Sequence, residues 1–214
     1  MADTKISALP ASTVPLAGTE VLPIVQSSST KNVSVANLTA GRAVSAASLT
    51  LTTTPLPVAS GGSGLSAFGP AFSAYQSSAQ TLSSATNTLT EFQTEEFDTG
   101  GCFNNTGSST TLNGLTAPAY SFVPNVAGYY QVSFAAQGGA AITRIAISIQ
   151  KNAATIKGLQ DTSSALVSQA SGSALIYLNG TGDYIQAYTY FSVGQVMQTT
   201  APATWFQAVY IRGT

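Results

Sequence analysis

Tyr-Ser-Phe-Val-Pro-Asn-Val-Ala-Gly-Tyr-Tyr-Gln-Val-Ser-Phe, residues 120–134, is the stretch whose reading decides the fold. In its second half, large apolar side chains alternate with small or polar ones. Tyr130, Val132 and Phe134 therefore share one face of a strand, and Tyr129, Gln131 and Ser133 share the other. That pattern describes a strand with one buried face. Pro124 interrupts the alternation and Gly128 stands where the chain must turn, so the whole reads as strand, corner, strand.

Working outward from it, short β-patterned runs recur from about residue 70 to the end. They fall at 71–75, 88–93, 120–122, 129–135, 142–150, 174–178, 184–191 and 204–212, and no long helical pattern intervenes. Turns are marked by Asn113-Gly114, Asn152, Asn179-Gly180 and Gly182-Asp183. Eight or more strands at this spacing predict an all-β antiparallel sandwich, most simply a jelly roll. Its core is expected to draw on Ile145, Ile147 and Ile149 from one face and on Trp205, Val209 and Ile211 from another.

Composition adds a second constraint. With 44% hydrophobic residues the 214-residue chain can fill a core. Only 7% of it is charged, against roughly 25% in an average soluble domain. No charged residue occurs at 43–90, 99–143 or 184–211, so much of the surface must be neutral. A net charge of −1 offers little repulsion between copies, which suits a permanently assembled protein. Seven Lys and Arg against eight Asp and Glu form no basic stripe, so no nucleic-acid partner is expected. The uncharged stretches are too rich in Ser, Thr and Gly to cross a bilayer, and the N-terminus has no cationic start followed by an apolar run. Neither a membrane partner nor a secretory leader is expected. Cys102 is the single cysteine, either a small apolar filler or an exposed thiol.

The first forty residues hold two β-like runs, 20–26 and 31–38, joined by Ser27-Ser-Ser-Thr30. They predict a hairpin whose Pro23 confines it to an edge, too small to bury much surface alone. Lys-Ile-Ser-Ala-Leu-Pro at 5–10, Gly-Thr-Glu-Val-Leu-Pro-Ile-Val-Gln at 18–26 and Lys-Asn-Val-Ser-Val-Ala-Asn-Leu at 31–38 resemble the N-terminal segment of many bacteriophage fibre and virion appendage proteins. The resemblance implies that residues 1–42 fasten the protein to a particle through Ile6, Leu9, Val21, Leu22, Ile24, Val25, Val33, Val35 and Leu38. Residues 43–69, with Pro55, Pro57, Gly61, Gly62 and Gly64, read as an extended linker ending in a hinge. Its Gly-rich part lacks the Lys and Ser/Thr of a phosphate-binding loop. The run Leu-Pro-Val-Ala-Ser-Gly-Gly-Ser-Gly is similar to Gly-rich segments of phage tail and fibre proteins.

Residues 70–214 resemble the complement globular-head and tumour-necrosis-factor-like jelly rolls. The correspondences run in order through Phe72-Ser-Ala-Tyr, Glu96-Phe-Asp-Thr-Gly-Gly-Cys-Phe-Asn-Asn, the stretch with Phe122, Pro124, Gly128, Tyr129 and Tyr130, Ile149-Gln-Lys-Asn, Gly182-Asp-Tyr-Ile-Gln-Ala and Trp205-Phe-Gln-Ala-Val-Tyr-Ile. The resemblance implies a homotrimer. Aromatic interface candidates are Tyr129, Tyr130, Phe134, Tyr188, Tyr190, Phe206 and Tyr210, at least half of which must instead fill each subunit's own core.

Catalysis has little to work with. The absence of histidine removes the commonest general base and metal ligand, and one cysteine builds no thiolate cluster. Glu91, Glu95, Glu96 and Asp98 form the one dense acidic group, readable as a carboxylate pair for sugar hydrolysis, a calcium site or a solvated strand end. No cofactor is expected. The expected function is a non-enzymatic virion structural protein, a short appendage on the capsid or tail. The alternative is a tail fibre that binds a host surface saccharide or protein, with the loop at Asn104-Asn-Thr-Gly suited either to sugar contact or to an ordinary turn.

Overall fold

In a computed structural model, residues 21–34 and 69–213 are described. They belong to two compact units. The first is a hairpin of β1 (Val21–Gln26) and β2 (Ser29–Ser34), in antiparallel register from Val21 opposite Ser34 to Gln26 opposite Ser29. Ser27 and Ser28 make the two-residue turn, both with positive φ (52° and 60°), the geometry that matches strand twist in tight hairpins. The second strand thus begins at Ser29, earlier than the sequence reading. Pro23 is tolerated because both strands of a two-stranded sheet are edges. Of the expected anchor residues, Val21 and Leu22 are exposed, Val33 is half-buried, and Ile24 and Val25 lie in β1. Ile6, Leu9, Val35, Leu38 and the linker up to residue 68 lie outside the described residues.

The second unit is all-β, with no helix among its described residues. In chain order its strands are β3 (Ala71–Tyr75), β4 (Thr81–Leu82), β5 (Asn87–Leu89), β6 (Thr94–Asp98), β7 (Thr110–Leu112), β8 (Leu115–Ala117), β9 (Gly128–Lys151), β10 (Ala154–Leu178), β11 (Ile185–Phe191), β12 (Gln195–Val196) and β13 (Trp205–Arg212). The hydrogen-bonded path runs β5-β11-β9-β13-β3-β6, with β10 along β9.

The long hairpin of β9 and β10 organises this path. The first half of β9 pairs with β13, the second half with β11, and β10 follows both halves. Folded over in its middle, the hairpin belongs to two layers. One layer is β6-β3-β13-β9-β10 and the other is β5-β11-β9-β10, which is the wrapped antiparallel ribbon of a jelly roll. The fold lies where the register breaks. Gln169 faces Gln137 and Val167 faces Ile142, so β9 spends five residues where β10 spends two. Across that bend the inward set changes from Tyr130, Val132 and Phe134 to Ile145, Ile147 and Ile149, even positions giving way to odd. Opposite the bend, Leu159 from the first half of β10 lies over Gly172 from the second, where an added Cβ would come within 2.9 Å of it. The Gln160 side chain accepts a bond from the Ser171 amide (2.7 Å), closing the seam.

One core fills the space between the layers. Phe206 sits among Phe72, Phe92, Phe103 and Phe134 at centroid distances of 5.0–6.2 Å. The corner before β9 forms as its sequence demands. The Tyr130 hydroxyl donates to the Val126 carbonyl (2.7 Å), and Gly128 passes so close to Tyr210 and the Arg212 carbonyl that a Cβ would stand 2.5 Å from each. Burial raises the Tyr130 phenol above its ordinary pKa, keeping it a donor.

Several expectations are corrected. The runs at 129–135 and 142–150 are one 24-residue strand, and 174–178 is the end of a 25-residue one. Residues 120–122 are no strand: Tyr120 has φ of +50°, and only Phe122 bridges to Phe103 and Ile185. Of the run at 88–93, only Thr88 and Leu89 lie in a strand, the end of β5; the rest is the loop leading to β6, with Phe92 buried in it. In β13, Phe206 and Ala208 point inward, and Val209 and Ile211 are exposed rather than core. Trp205, on the same outward parity, is half-buried.

Candidate subunit interface

The outward positions of β13 belong to a largely uncharged surface of the sandwich. In the layer containing β13, register places Ala71, Val209, Gln131 and Leu175 in one row across four strands. Ser73, Gln207, Ser133 and Ser173 make the next row, with Phe97 beside Ser73. All alternate with buried neighbours on β3, β9 and β13, so they face away from the core. The outer face thereby exposes Leu175 (52%), Ile211 (51%), Phe97 (50%), Val209 (46%) and Tyr177 (40%). No charged residue stands in either central row.

Charges lie at its margins. Glu95 and Glu96 are on β6 at one edge, and burial together with the neighbouring Asp98 charge raises the Glu95 carboxyl above its ordinary pKa. At the far corner, Tyr129 and Tyr177 lie 5.6 Å apart, with the Arg212 guanidinium 5.8 Å from the Tyr129 ring and the Lys151 ammonium 5.7 Å from the Tyr177 ring. A hollow of about 300 Å³ opens there between Tyr129, Leu175, Ile211 and Arg212. Lys151 is engaged, since it bonds Asp183 (2.7 Å) and the Tyr177 carbonyl (3.0 Å). Arg212 has no carboxylate within 4.0 Å among the described residues.

The seven aromatic interface candidates separate by position. Tyr130, Phe134 and Phe206 are wholly inside the protomer and leave a neighbour nothing to touch. Tyr210 is half-buried and packs edge-on against Tyr130 (5.5 Å). Tyr129 is on the apolar outer face, whereas Tyr188 and Tyr190 are on the outer face of the opposite layer. The sequence reading passed over Phe97, Leu175 and Tyr177, which carry most of the exposed apolar surface with Val209 and Ile211. The signal was available in β13, where both parities are apolar, a pattern that one-sided burial does not need.

The acidic group does not act together. Asp98 accepts bonds from the amides of Phe103 (2.8 Å) and Gly100 (3.2 Å), Glu96 from the Ser73 hydroxyl (2.6 Å) and Glu91 from the Gln93 amide (3.2 Å). Among the described residues no cluster of His, Cys, Asp and Glu is arranged to hold a metal ion. Asn104 is a buried loop brace: its Nδ2 reaches the carbonyls of Ser108, Ala117 and Pro118 at 2.8–3.0 Å. Cys102 is buried too, the apolar filler of the two readings, and burial raises its thiol pKa.

The chain matches no family model, and no curated protein matches it in sequence. Among solved structures it is similar to murine APRIL (9% identity, 66% of this chain and 98% of that one, TM-score 0.47). It is likewise similar to the globular domain of zebrafish complement 1qA (14%, 68% and 99%, TM-score 0.47) and to the PRD1 vertex protein P5 (12%, 68% and 99%, TM-score 0.45).

Proposed function

We propose that this chain is a non-enzymatic structural protein of a bacteriophage virion, a short homotrimeric appendage of capsid or tail. Its N-terminal segment docks on the particle and its jelly roll is displayed as a knob. The observation that carries the reading is the outer face of the β13 layer, uncharged in its central rows, which exposes Val209, Leu175, Ile211, Phe97 and Tyr177 among serines and glutamines. Five large apolar side chains exposed on one sheet face whose central rows carry no charge are what a subunit contact needs, since charged residues are depleted at the core of interfaces.

The occupant is a second copy of the same chain. The face carries its own complement, with Glu95 and Glu96 on one edge and Arg212 at the opposite corner. A head-to-tail ring brings acid to base and closes on itself. The near-zero net charge removes the penalty for bringing copies together. The particle assignment is supported by the residues of the N-terminal segment and its hairpin.

Light scattering on the full chain tests assembly, with a mass of three 21.8-kDa copies expected. A monomeric mass at micromolar concentration overturns it. An antibody fragment against the knob, imaged on the parent particle, tests location: label on capsid or tail supports the reading, and particles without label refute it.

A further inference from the structure

The hollow of about 300 Å³ at the Arg212 corner is half of a site. Three of its walls are Tyr129, Leu175 and Ile211, and the fourth, Arg212, is its only charged one. The guanidinium lies 5.8 Å from the Tyr129 ring, which orients it without neutralising it. No carboxylate stands within 4.0 Å of it among the described residues. Such a hollow is complementary to an apolar body with a carboxylate close beside it.

β6 presents that combination. Among the described residues of the second unit, Phe97 is the one large exposed apolar side chain with a carboxylate next to it in sequence. Here the pairing with β3 slips by one residue, with Ser73 opposite Phe97 and Ala74 opposite Glu95, so Glu96 is the extra residue of a bulge. In a regular strand Glu96 would point away from the Phe97 side. The bulge re-aims it, and its Oε2 accepts a bond from the Ser73 hydroxyl (2.6 Å) on the outer face that Phe97 occupies. Its Oε1 bonds no described residue. Asp98, on the other side of Phe97, is already engaged by the amides of Gly100 and Phe103.

These halves cannot meet within one protomer. Along β6-β3-β13-β9-β10, Phe97 and Leu175 are four strand spacings apart, roughly 19 Å. We infer that Phe97 of one copy fills the hollow of the next, its ring against Tyr129, Leu175 and Ile211, while Glu96 beside it pairs with Arg212. Knob and hollow are different patches, so the contact is heterologous and repeats head to tail until a ring closes. The inference rests on the assembly reading above and names the contact that would hold it together.

The test is sedimentation velocity on the full chain over a dilution series, with circular dichroism on the same samples. Glu96→Arg sets cation against cation and Arg212→Glu sets carboxylate against carboxylate. Each should raise the concentration needed for assembly about tenfold or more, and the double variant should return to within about threefold of wild type. Phe97→Ala should weaken assembly about thirtyfold, as loss of a central aromatic anchor does. As a check independent of those variants, Phe97→Cys combined with Leu175→Cys should give covalent dimers and trimers on oxidation, with little background because Cys102 is buried. A wild type that stays monomeric overturns the assembly reading and this contact with it. An assembled wild type whose double charge reversal is no better than the weaker single variant, or whose cysteine pair gives only single chains, overturns this contact and leaves assembly standing.

Discussion

Two adjacent residues of β13 should respond in opposite ways to the same charge. Ala208 is 3% exposed and faces the core; Val209 is 46% exposed and faces outward at the centre of the apolar layer. In Ala208→Glu the carboxylate has no cation near it, and its desolvation costs several kcal/mol, enough to consume most of a domain's stability of about 5–15 kcal/mol. In Val209→Glu the new carboxylate can stay in water, so the isolated protomer should lose less than about 1 kcal/mol. Assembly is another matter. Val209 is flanked in register by Ala71 and Gln131, so nothing in that row of the face can pair the charge. At about 3 kcal/mol for each carboxylate buried, every interface weakens by more than a hundredfold. The assay is light scattering beside thermal unfolding by circular dichroism. Val209→Glu should fall from the mass of three copies to 21.8 kDa with its strand signal intact, and Ala208→Glu should fail to fold. An assembled Val209→Glu refutes the interface. An unfolded one refutes the assignment of inward and outward faces.

Other perturbations test the fold that presents these surfaces. Phe206→Ala removes a wholly buried ring with four aromatic neighbours and should cost about 3–5 kcal/mol in urea unfolding. Ala153→Gly should stabilise by about 1 kcal/mol, because Ala153 holds φ of +64° in the turn between β9 and β10, where glycine has no steric penalty; an unchanged or lower midpoint contradicts that geometry. For Asp183, burial opposes the charged form but is outweighed by bonds from Lys151, Asn152 and the Asn179 amide, so its folded pKa is lowered. A lowered carboxyl contributes stability above the unfolded pKa of about 3.9 and loses it as pH falls through the folded value. Asp183→Asn should therefore lower the melting temperature at pH 7 and narrow its difference from wild type near pH 2. A difference that stays constant over that range is the contrary result.

The corner before β9 was legible in sequence because its causes are local. A proline, a glycine and an alternating tyrosine act within a few residues, and the structure adds the bond from Tyr130 to the Val126 carbonyl. Turns at Asn113-Gly114 and Asn152 were legible for the same reason, since their positive φ values of 50–77° suit those residue types. The first half of β10 was not. It is an edge, largely exposed on both faces, and shows neither alternation nor bulk; pairing with β9 makes it a strand. The candidate interface was half visible, in the lack of charge and the outward Tyr129. Its other apolar members were missed because only β13, apolar on both parities, carries a local signal of a second apolar face, and which parity is outward depends on distant partners.

By itself, then, the sequence determined an all-β chain with one buried face on each principal strand, a neutral surface and tight turns, since alternation, charge count and turn chemistry are properties of neighbouring residues. Tertiary structure alone decided that two expected strands are halves of one folded ribbon and that Ile145, Ile147 and Ile149 share a core with Tyr130, Val132 and Phe134 despite opposite parity. It also decided which apolar parity of β13 lies outside. The physical reason is that a one-residue change of register exchanges the faces of a strand, and register is set by the bend and by partners distant in sequence.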